Sequence, residues 1–242
     1  MYNYNGININ YKRYGNKNGK KIILLHGWGQ NISMMEQLGN NLKDYDIIII
    51  DLPGHGESDI PKNIWTLNDF VLMIKSFLNS LKIDNPILVG HSFGGKISLL
   101  YASKYKVDRL ILFASPFKVE MKKVSFKIKI LKRLAKIPIF KNFSEIVKKH
   151  IGSIDYRNAS GVMRDILVNH VNTDITKDLE KISCPTIIIW GHKDTTINIE
   201  NGYILSNLIK DSALIEYENG THFAYLEDLN KTIRIIKAFI GE

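Results

Sequence analysis

Residues 87–94 have the sequence Ile87-Leu88-Val89-Gly90-His91-Ser92-Phe93-Gly94. The three apolar residues predict a buried β-strand, and a helical pattern begins just after the last glycine. A Gly-x-Ser-x-Gly pattern between a strand and a helix is typical of a sharp turn that exposes a nucleophilic serine. The flanking glycines allow the backbone to adopt this strained turn. We therefore predict that Ser92 is a nucleophile at the edge of a sheet.

Short apolar runs alternate with helical patterns along most of the 242-residue chain. This alternation predicts the α/β class, with a mostly parallel central sheet and helices on both faces. The predicted strands are Ile7 to Tyr14, Lys21 to Leu25, Asp46 to Asp51, Pro86 to Gly90, Arg109 to Ala114, Pro185 to Trp190 and Ala213 to Tyr217. The predicted covering helices are Asn68 to Leu81, Lys96 to Tyr105 and Leu226 to Phe239.

Residues 115–183 interrupt this alternation, because they have helical apolar spacing and many lysines but no convincing strand. We expect them to form a helical cap inserted into a core made of residues 1–114 and 184–242. Such an insertion would lie over the strand ends, where loops build the sites of open α/β sheets. The chain has no internal repeat and no Gly/Ser linker, so we expect a single domain overall.

The net charge of +9 is concentrated in one stretch of the expected cap. Residues 118–149 contain eleven Lys or Arg residues, against Glu120 and Glu145 only, and therefore carry the whole excess. The lysines of this stretch are either simply solvated, or a docking face for an acidic carrier such as acyl carrier protein, or a transient contact with anionic lipid. Few aromatic residues interleave with them, so we do not expect binding to nucleic acid.

The location of the protein is predicted from what the sequence lacks. The first ten residues are polar and do not resemble a secretory signal, so we expect a cytoplasmic protein. No apolar run approaches the roughly twenty residues of a membrane helix, so we expect no stable membrane insertion. No cluster of His, Cys or Asp has metal-ligand spacing and no glycine pattern fits a dinucleotide, so we expect no cofactor and no metal.

A serine hydroxyl becomes a good nucleophile when an imidazole removes its proton and a carboxylate orients that imidazole. His222 is the best base, since it follows the last predicted strand. Asp194 is the best acid, because it lies in the loop after the strand that ends at Trp190. The order Ser92, then Asp194, then His222 is one of the chain orders in which this triad occurs.

Four further motifs occur in order around the serine turn. They are His26-Gly27-Trp28-Gly29, Asp51-Leu52-Pro53-Gly54-His55-Gly56-Glu57-Ser58, Gly191-His192-Lys193-Asp194 and Gly220-Thr221-His222-Phe223. With these motifs the chain resembles the α/β-hydrolase family over nearly its whole length. The resemblance implies an oxyanion hole made by the backbone N–H groups of Trp28 and Phe93. It also leaves Glu120 as an alternative acid, since some members carry the acid after an earlier strand.

We therefore predict a serine hydrolase that cleaves a small-molecule carboxylic ester through an acyl-enzyme on Ser92. An acyltransferase or a thioesterase with the same triad remains an alternative. An esterase acting on an ester linked to acyl carrier protein is another, because the His-Gly-Trp-Gly loop with a helical cap resembles the pimeloyl-acyl-carrier-protein methyl ester esterases. The chain departs from their pattern at His91, where they usually have Trp. The complete triad argues against a non-enzymatic scaffold.

Overall fold

The computed structural model describes residues 1–119 and 154–241. Its strands are β1 Tyr2–Tyr4, β2 Ile7–Ile9, β3 Tyr11–Gly15, β4 Lys21–Leu25, β5 Asp46–Ile50, β6 Ile87–His91, β7 Arg109–Phe113, β8 Thr186–Gly191 and β9 Ser212–Tyr217. Its helices, numbered within the described residues, are α1 Ile32–Gly39, α2 Leu67–Ser80, α3 Phe93–Ala102, α4 Ile154–Asn158, α5 Gly161–Val171, α6 Thr176–Leu179, α7 Glu200–Leu208, α8 Ala224–Glu227 and α9 Leu229–Ile240.

Seven of the strands form one sheet in the order β3-β5-β4-β6-β7-β8-β9. All neighbours pair in parallel except β3, which is antiparallel to β5 at one edge. The inner strands are continuous apolar runs because both of their faces are covered, as is typical of parallel sheets. The predicted fold class is therefore confirmed.

Side chains that alternate along each strand supply two separate cores, one on each face of the sheet. In β4, Ile23 and Leu25 belong to the core beneath α2 and α3. Their neighbours Ile22 and Leu24 belong to the core beneath α1 and α9. Helices therefore cover both faces, and the carboxyl ends of the parallel strands are left to the connecting loops.

The predicted strand Ile7 to Tyr14 is in fact two strands that separate at Asn10. The backbone N–H of Asn10 donates to Ser58 Oγ at 2.8 Å, and its side-chain amide donates to Asp51 Oδ2 at 2.8 Å. These bonds attach the chain to the turn after β5 and interrupt the strand. As a result β2 pairs with β1, which the sequence did not indicate, and β3 joins the main sheet.

The predicted helix Leu226 to Phe239 is also divided. The chain forms α8, leaves the helical conformation at Asp228, and begins α9 at the next residue. The carboxylate of Asp228 accepts a hydrogen bond from Lys231 N at 3.1 Å and so caps the new helix. The apolar periodicity continues through the break, and therefore does not reveal it.

Only part of the expected cap falls within the described residues. Residues 115–119 and 154–183 contain α4, α5 and α6 and no strand. Residues 120–153, which include Glu120 and most of the basic stretch, lie outside the described residues. Within residues 1–119 and 154–241, no helix has both the length and the apolar character that are needed to cross a bilayer.

Candidate active site

Ser92 lies between the end of β6 and the first residue of α3, with φ 49° and ψ −110°. Few residues other than glycine adopt a positive φ, so the turn is strained and is held by its surroundings. The backbone N–H of Ser92 donates to Phe113 O of β7 at 2.9 Å. A Cβ on Gly90 would lie 2.6 Å from Gly94 O, so the strand and the helix approach more closely than a side chain allows.

Asp194 and His222 are in direct contact, although 28 residues separate them in the chain. The distance between Asp194 Oδ2 and His222 Nδ1 is 2.7 Å. The second oxygen, Oδ1, accepts hydrogen bonds from the backbone N–H groups of Thr196 at 2.8 Å and Ile197 at 2.9 Å. The carboxylate is buried, so these contacts fix its orientation toward the imidazole.

The two loops that carry Asp194 and His222 meet because their strands, β8 and β9, are neighbours in the sheet. The backbone N–H of Lys193 donates to Gly220 O at 2.8 Å. A Cβ on Gly191 would overlap the backbone of Gly220 and Thr221. Glycine at position 191 is therefore required for the close approach that brings the carboxylate to the imidazole.

The loop of His222 also lies beside the turn of Ser92. His91 Nε2 is 3.0 Å from the backbone oxygen of His222, and the two imidazole centroids are 4.8 Å apart. Within the described residues, no hydrogen bond joins the side chains of Ser92 and His222. In serine triads such a contact is often long or poorly aligned until substrate is bound.

The two expected oxyanion donors, Trp28 and Phe93, lie next to each other. Their rings are 5.3 Å apart, and Gly94 N donates to His26 O at 3.1 Å, which attaches the first turn of α3 to the loop after β4. Neither the backbone N–H of Trp28 nor that of Phe93 has a hydrogen-bond partner among the described residues. Both donors are therefore available to an oxygen atom of a substrate.

His26 holds the loop that carries Trp28. Its Nδ1 lies 2.7 Å from Gly27 O, and its Nε2 accepts a hydrogen bond from Leu52 N at 3.0 Å. Burial, helped by the neighbouring His55, lowers the pKa of His26 to about 4, so the imidazole is neutral at pH 7. With Nε2 as acceptor, the proton is on Nδ1 and is donated to Gly27 O.

The Asp51 to Ser58 turn is held in place by hydrogen bonds of the Asp51 carboxylate and the Ser58 hydroxyl. Asp51 Oδ1 accepts from Ile32 N at 2.7 Å, and Oδ2 accepts from Glu57 N at 3.0 Å. The Ser58 hydroxyl donates to the backbone oxygen of Asp51 at 2.6 Å. These bonds fix the conformation of the turn and attach it to the first residue of α1.

A cavity of about 680 Å³ is lined by Trp28 and by Phe223, the residue after His222, although Ser92, Asp194 and His222 are not themselves among its lining residues. Val162 and Met163 at the start of α5 also line it and, with Trp28 and Phe223, supply apolar surface. The remaining lining residues are Gly29, Gln30, Gly54, His55, Ile60, Asp155, Asn158, Ala159, Ser160 and Gly161. Mixed apolar and polar walls and a volume of this size are typical of sites for small organic molecules.

Two buried polar residues near the site gave no signal in the sequence. The ammonium of Lys96 donates to His170 O at 2.9 Å and to Thr173 O at 2.6 Å, and burial lowers the pKa of Lys96 to about 8. The ring of His170 lies 4.3 Å from that of Phe93 and stacks on Trp28 at 6.4 Å. A lysine in a helical pattern is normally solvated, so only the tertiary contacts reveal this link between α3 and the segment that ends α5.

Among the residues that the structure describes, no group of three or more His, Cys, Asp or Glu side chains is arranged to hold a metal ion.

Comparisons with known proteins add to this geometry. A family model described as alpha/beta hydrolase fold matches residues 20–128. The chain is 28% identical over 248 residues to the AB hydrolase superfamily protein YisY of Bacillus subtilis, and 91% of each chain is covered. It is 24% identical to Lipase 1 of Psychrobacter immobilis, over 95% of this chain and 79% of the lipase. A solved esterase from Exiguobacterium antarcticum superposes with a TM-score of 0.75 at 23% identity, covering 98% of this chain and 96% of the esterase.

Proposed function

Because the chain belongs to the alpha/beta hydrolase fold family, we propose that it hydrolyses a carboxylic ester through an acyl-enzyme intermediate on Ser92. In this proposal His222 is the general base, Asp194 orients it, and the backbone N–H groups of Trp28 and Phe93 form the oxyanion hole. Similarity to a protein named as a lipase supports an ester as the substrate.

The observation that carries the proposal is the contact of 2.7 Å between Asp194 Oδ2 and His222 Nδ1. A carboxylate accepts only, so the proton of the neutral imidazole is on Nδ1 and Nε2 has a free lone pair. That tautomer is the one that can take a proton from a serine hydroxyl. The two backbone bonds to Oδ1 keep the carboxylate in this orientation.

In the acylation step, Ser92 Oγ forms a bond to the carbonyl carbon of the ester while its proton passes to His222 Nε2. The carbonyl oxygen becomes an oxyanion and accepts hydrogen bonds from Trp28 N and Phe93 N. The bond to the alcohol oxygen then breaks, and His222 returns the proton to that oxygen. In the second step, a water oxygen forms a bond to the acyl carbon while a proton of the water passes to His222 Nε2. The bond between that carbon and Ser92 Oγ then breaks, His222 returns the proton to Oγ, and the carboxylic acid leaves.

The cavity beside Trp28 supports a substrate larger than an acetyl ester. Its volume of about 680 Å³ lies within the range of pockets that hold drug-sized molecules. Trp28, Val162, Met163 and Phe223 give it apolar surface. We therefore propose a small-molecule ester with a medium-length apolar group as the substrate class.

The test is hydrolysis of p-nitrophenyl esters of increasing acyl length by the wild type and by Ser92→Ala. We expect the wild type to prefer medium acyl chains, and the variant to lose activity and to resist labelling by a fluorophosphonate. Activity that persists in Ser92→Ala would contradict the assignment of the nucleophile. A labelled wild type that hydrolyses thioesters, amides or carrier-linked esters but no simple ester would move the proposal to those substrates. Acyl transfer to an added alcohol in preference to water would indicate an acyltransferase.

A further inference from the structure

His91 occupies the position directly before the proposed nucleophile and contacts two other parts of the site. It is the last residue of β6, and its side chain is completely buried. Its ring packs against His222 at 4.8 Å, Phe223 at 5.2 Å and Tyr225 at 5.0 Å. A buried imidazole in this place touches the loop of the proposed base through both its ring and its polar atoms.

The first polar contact connects His91 to the main chain of the proposed base. His91 Nε2 lies 3.0 Å from the backbone oxygen of His222. A carbonyl oxygen can only accept, so the proton of the imidazole is on Nε2 and is donated to it. Burial, together with the nearby His222, lowers the pKa of His91 to about 3, so the ring is neutral and has this one proton to donate.

The second contact connects His91 to the loop that carries the proposed oxyanion donor Trp28. His91 Nδ1 lies 3.2 Å from the side-chain oxygen of Gln30, which accepts a hydrogen bond from Gly27 N at 3.1 Å. Because the one proton of the neutral ring is on Nε2, this second approach is a packing contact and not a hydrogen bond. Gln30 N in turn donates to Gly27 O at 3.2 Å, which closes the turn around Trp28. A Cβ on Gly27 would lie 2.9 Å from His91 Nδ1, so the main chain of the turn rests on the imidazole.

We propose that His91 is a positioning residue that holds the main chain of His222 and the Gly27–Gln30 turn at fixed distances from Ser92. The inference rests on the proposed function of this site. Ser92 follows His91 directly, so one rigid strand end determines the position of the nucleophile and of the imidazole that touches both other loops. Displacement of reacting groups by about 1 Å can lower a catalytic rate by about a hundredfold. The hydrogen bond to His222 O therefore matters for turnover as well as for packing.

The kinetic test compares His91→Phe, which keeps a ring, with His91→Gln, which keeps an N–H group able to reach the backbone oxygen of His222. Each kcat is divided by the concentration of active sites titrated with a fluorophosphonate, so that unfolded protein does not count. We expect kcat of His91→Phe to fall by about 10- to 100-fold with KM changed by less than about twofold. We expect His91→Gln to recover most of this loss. Tyr2→Phe is the matched control, because it removes a hydrogen bond of 2.8 Å to Ser76 far from the site and should leave kcat unchanged.

A second readout needs no substrate and separates this inference from the proposed function. The proton between His222 Nδ1 and Asp194 Oδ2 should give a low-field resonance in the NMR spectrum of the wild type and of His91→Gln. We expect it to shift or to broaden in His91→Phe. If His91→Phe does not fold, Gln30→Met is the second variant. Gln30 is partly exposed, and its replacement removes the side-chain oxygen that packs on His91 and accepts from Gly27 N, so kcat should fall by about 3- to 10-fold.

Unchanged kcat per active site and an unchanged resonance in His91→Phe would overturn the positioning role. Equal losses in His91→Phe and His91→Gln would also overturn it, since an N–H group placed to reach the backbone oxygen of His222 would then recover nothing. An inactive and unlabelled wild type with the expected resonance changes would contradict the proposed function and leave the positioning role standing.

Discussion

Replacement of Asp194 by Asn should inactivate the protein while leaving its fold in place. Oδ1 of Asp194 accepts two backbone N–H groups, from Thr196 and Ile197. The Asn side chain keeps these bonds only if its oxygen stays at that position, which directs its NH₂ group at His222 Nδ1. A donor there forces Nδ1 to accept, so the imidazole proton moves to Nε2. With Nε2 protonated, His222 cannot take the proton of Ser92.

The magnitude follows from this change of tautomer. A carboxylate-to-amide change that leaves geometry intact but selects the wrong tautomer lowers kcat by about 10⁴-fold in a serine triad. We expect a loss of this order for Asp194→Asn, with KM nearly unchanged, because the variant still has its oxyanion donors and its cavity. The free energy of unfolding should fall by only about 1.5–3 kcal/mol, the value of one hydrogen bond to a charged group.

The assay is steady-state hydrolysis of the best p-nitrophenyl ester, with thermal unfolding measured on the same samples. Asp44→Asn is the matched control, because Asp44 forms an exposed ion pair with Lys237 at 3.0 Å. Its kcat should equal that of the wild type. A folded Asp194→Asn variant with kcat within about tenfold of the wild type would refute the reasoning. It would direct attention to an acid elsewhere, with Glu120 as the first to test.

Three further predictions concern the supports of the site. Gly191→Ala should displace the loop of His222, because the added Cβ overlaps the backbone of that loop. We expect a lower kcat and a loss of about 1–3 kcal/mol of unfolding free energy, measured by urea titration. Full activity in this variant would contradict the close approach of the two loops. Lys96→Met should leave one buried and one partly buried carbonyl oxygen without their donor and lower the unfolding free energy by about 1–3 kcal/mol at pH 7. An unchanged midpoint in urea would show that the ammonium contributes nothing. The pKa of His26 is lowered to about 4 in the folded protein. Between about pH 6.5 and 4 the imidazole of the unfolded chain therefore binds a proton that the folded protein does not bind. Stability falls as the pH falls through that window. His26→Asn should reduce this slope in unfolding measured between pH 7 and 4.5, and an identical slope would assign it to other groups.

Much of the fold was predictable because it depends on local patterns. The apolar runs that became β4 to β8 are continuous, since each strand is covered on both faces, and helical spacing identified α2, α3 and α9. The boundaries were less accurate where a single side chain interrupts a pattern. Asn10 interrupts a strand through hydrogen bonds to the turn after β5, and Asp228 starts α9 by accepting from Lys231 N three residues on. Such bonds leave the apolar periodicity unchanged.

The candidate site was predictable as a set of residue types, although its catalytic roles stay a prediction. Ser92 was identified from its flanking glycines and from the strand and helix around it. His222 and Asp194 were identified from their places after predicted strands, and the structure brings these two into contact. The proposed alternative acid, Glu120, and the basic stretch lie outside the described residues, so the docking of an acidic carrier stays a hypothesis.

The sequence by itself determined the α/β alternation, the serine turn and the order of the motifs, because each depends on residues adjacent or a few positions apart. Only the tertiary structure decided which polar groups meet. The contact between His91 and His222 spans 131 residues, and that between Lys96 and His170 spans 74. Both depend on which strands are neighbours in the sheet and on how the segment after α5 folds back over α3. These contacts arise from packing of the whole chain, so they cannot be predicted from local residue patterns.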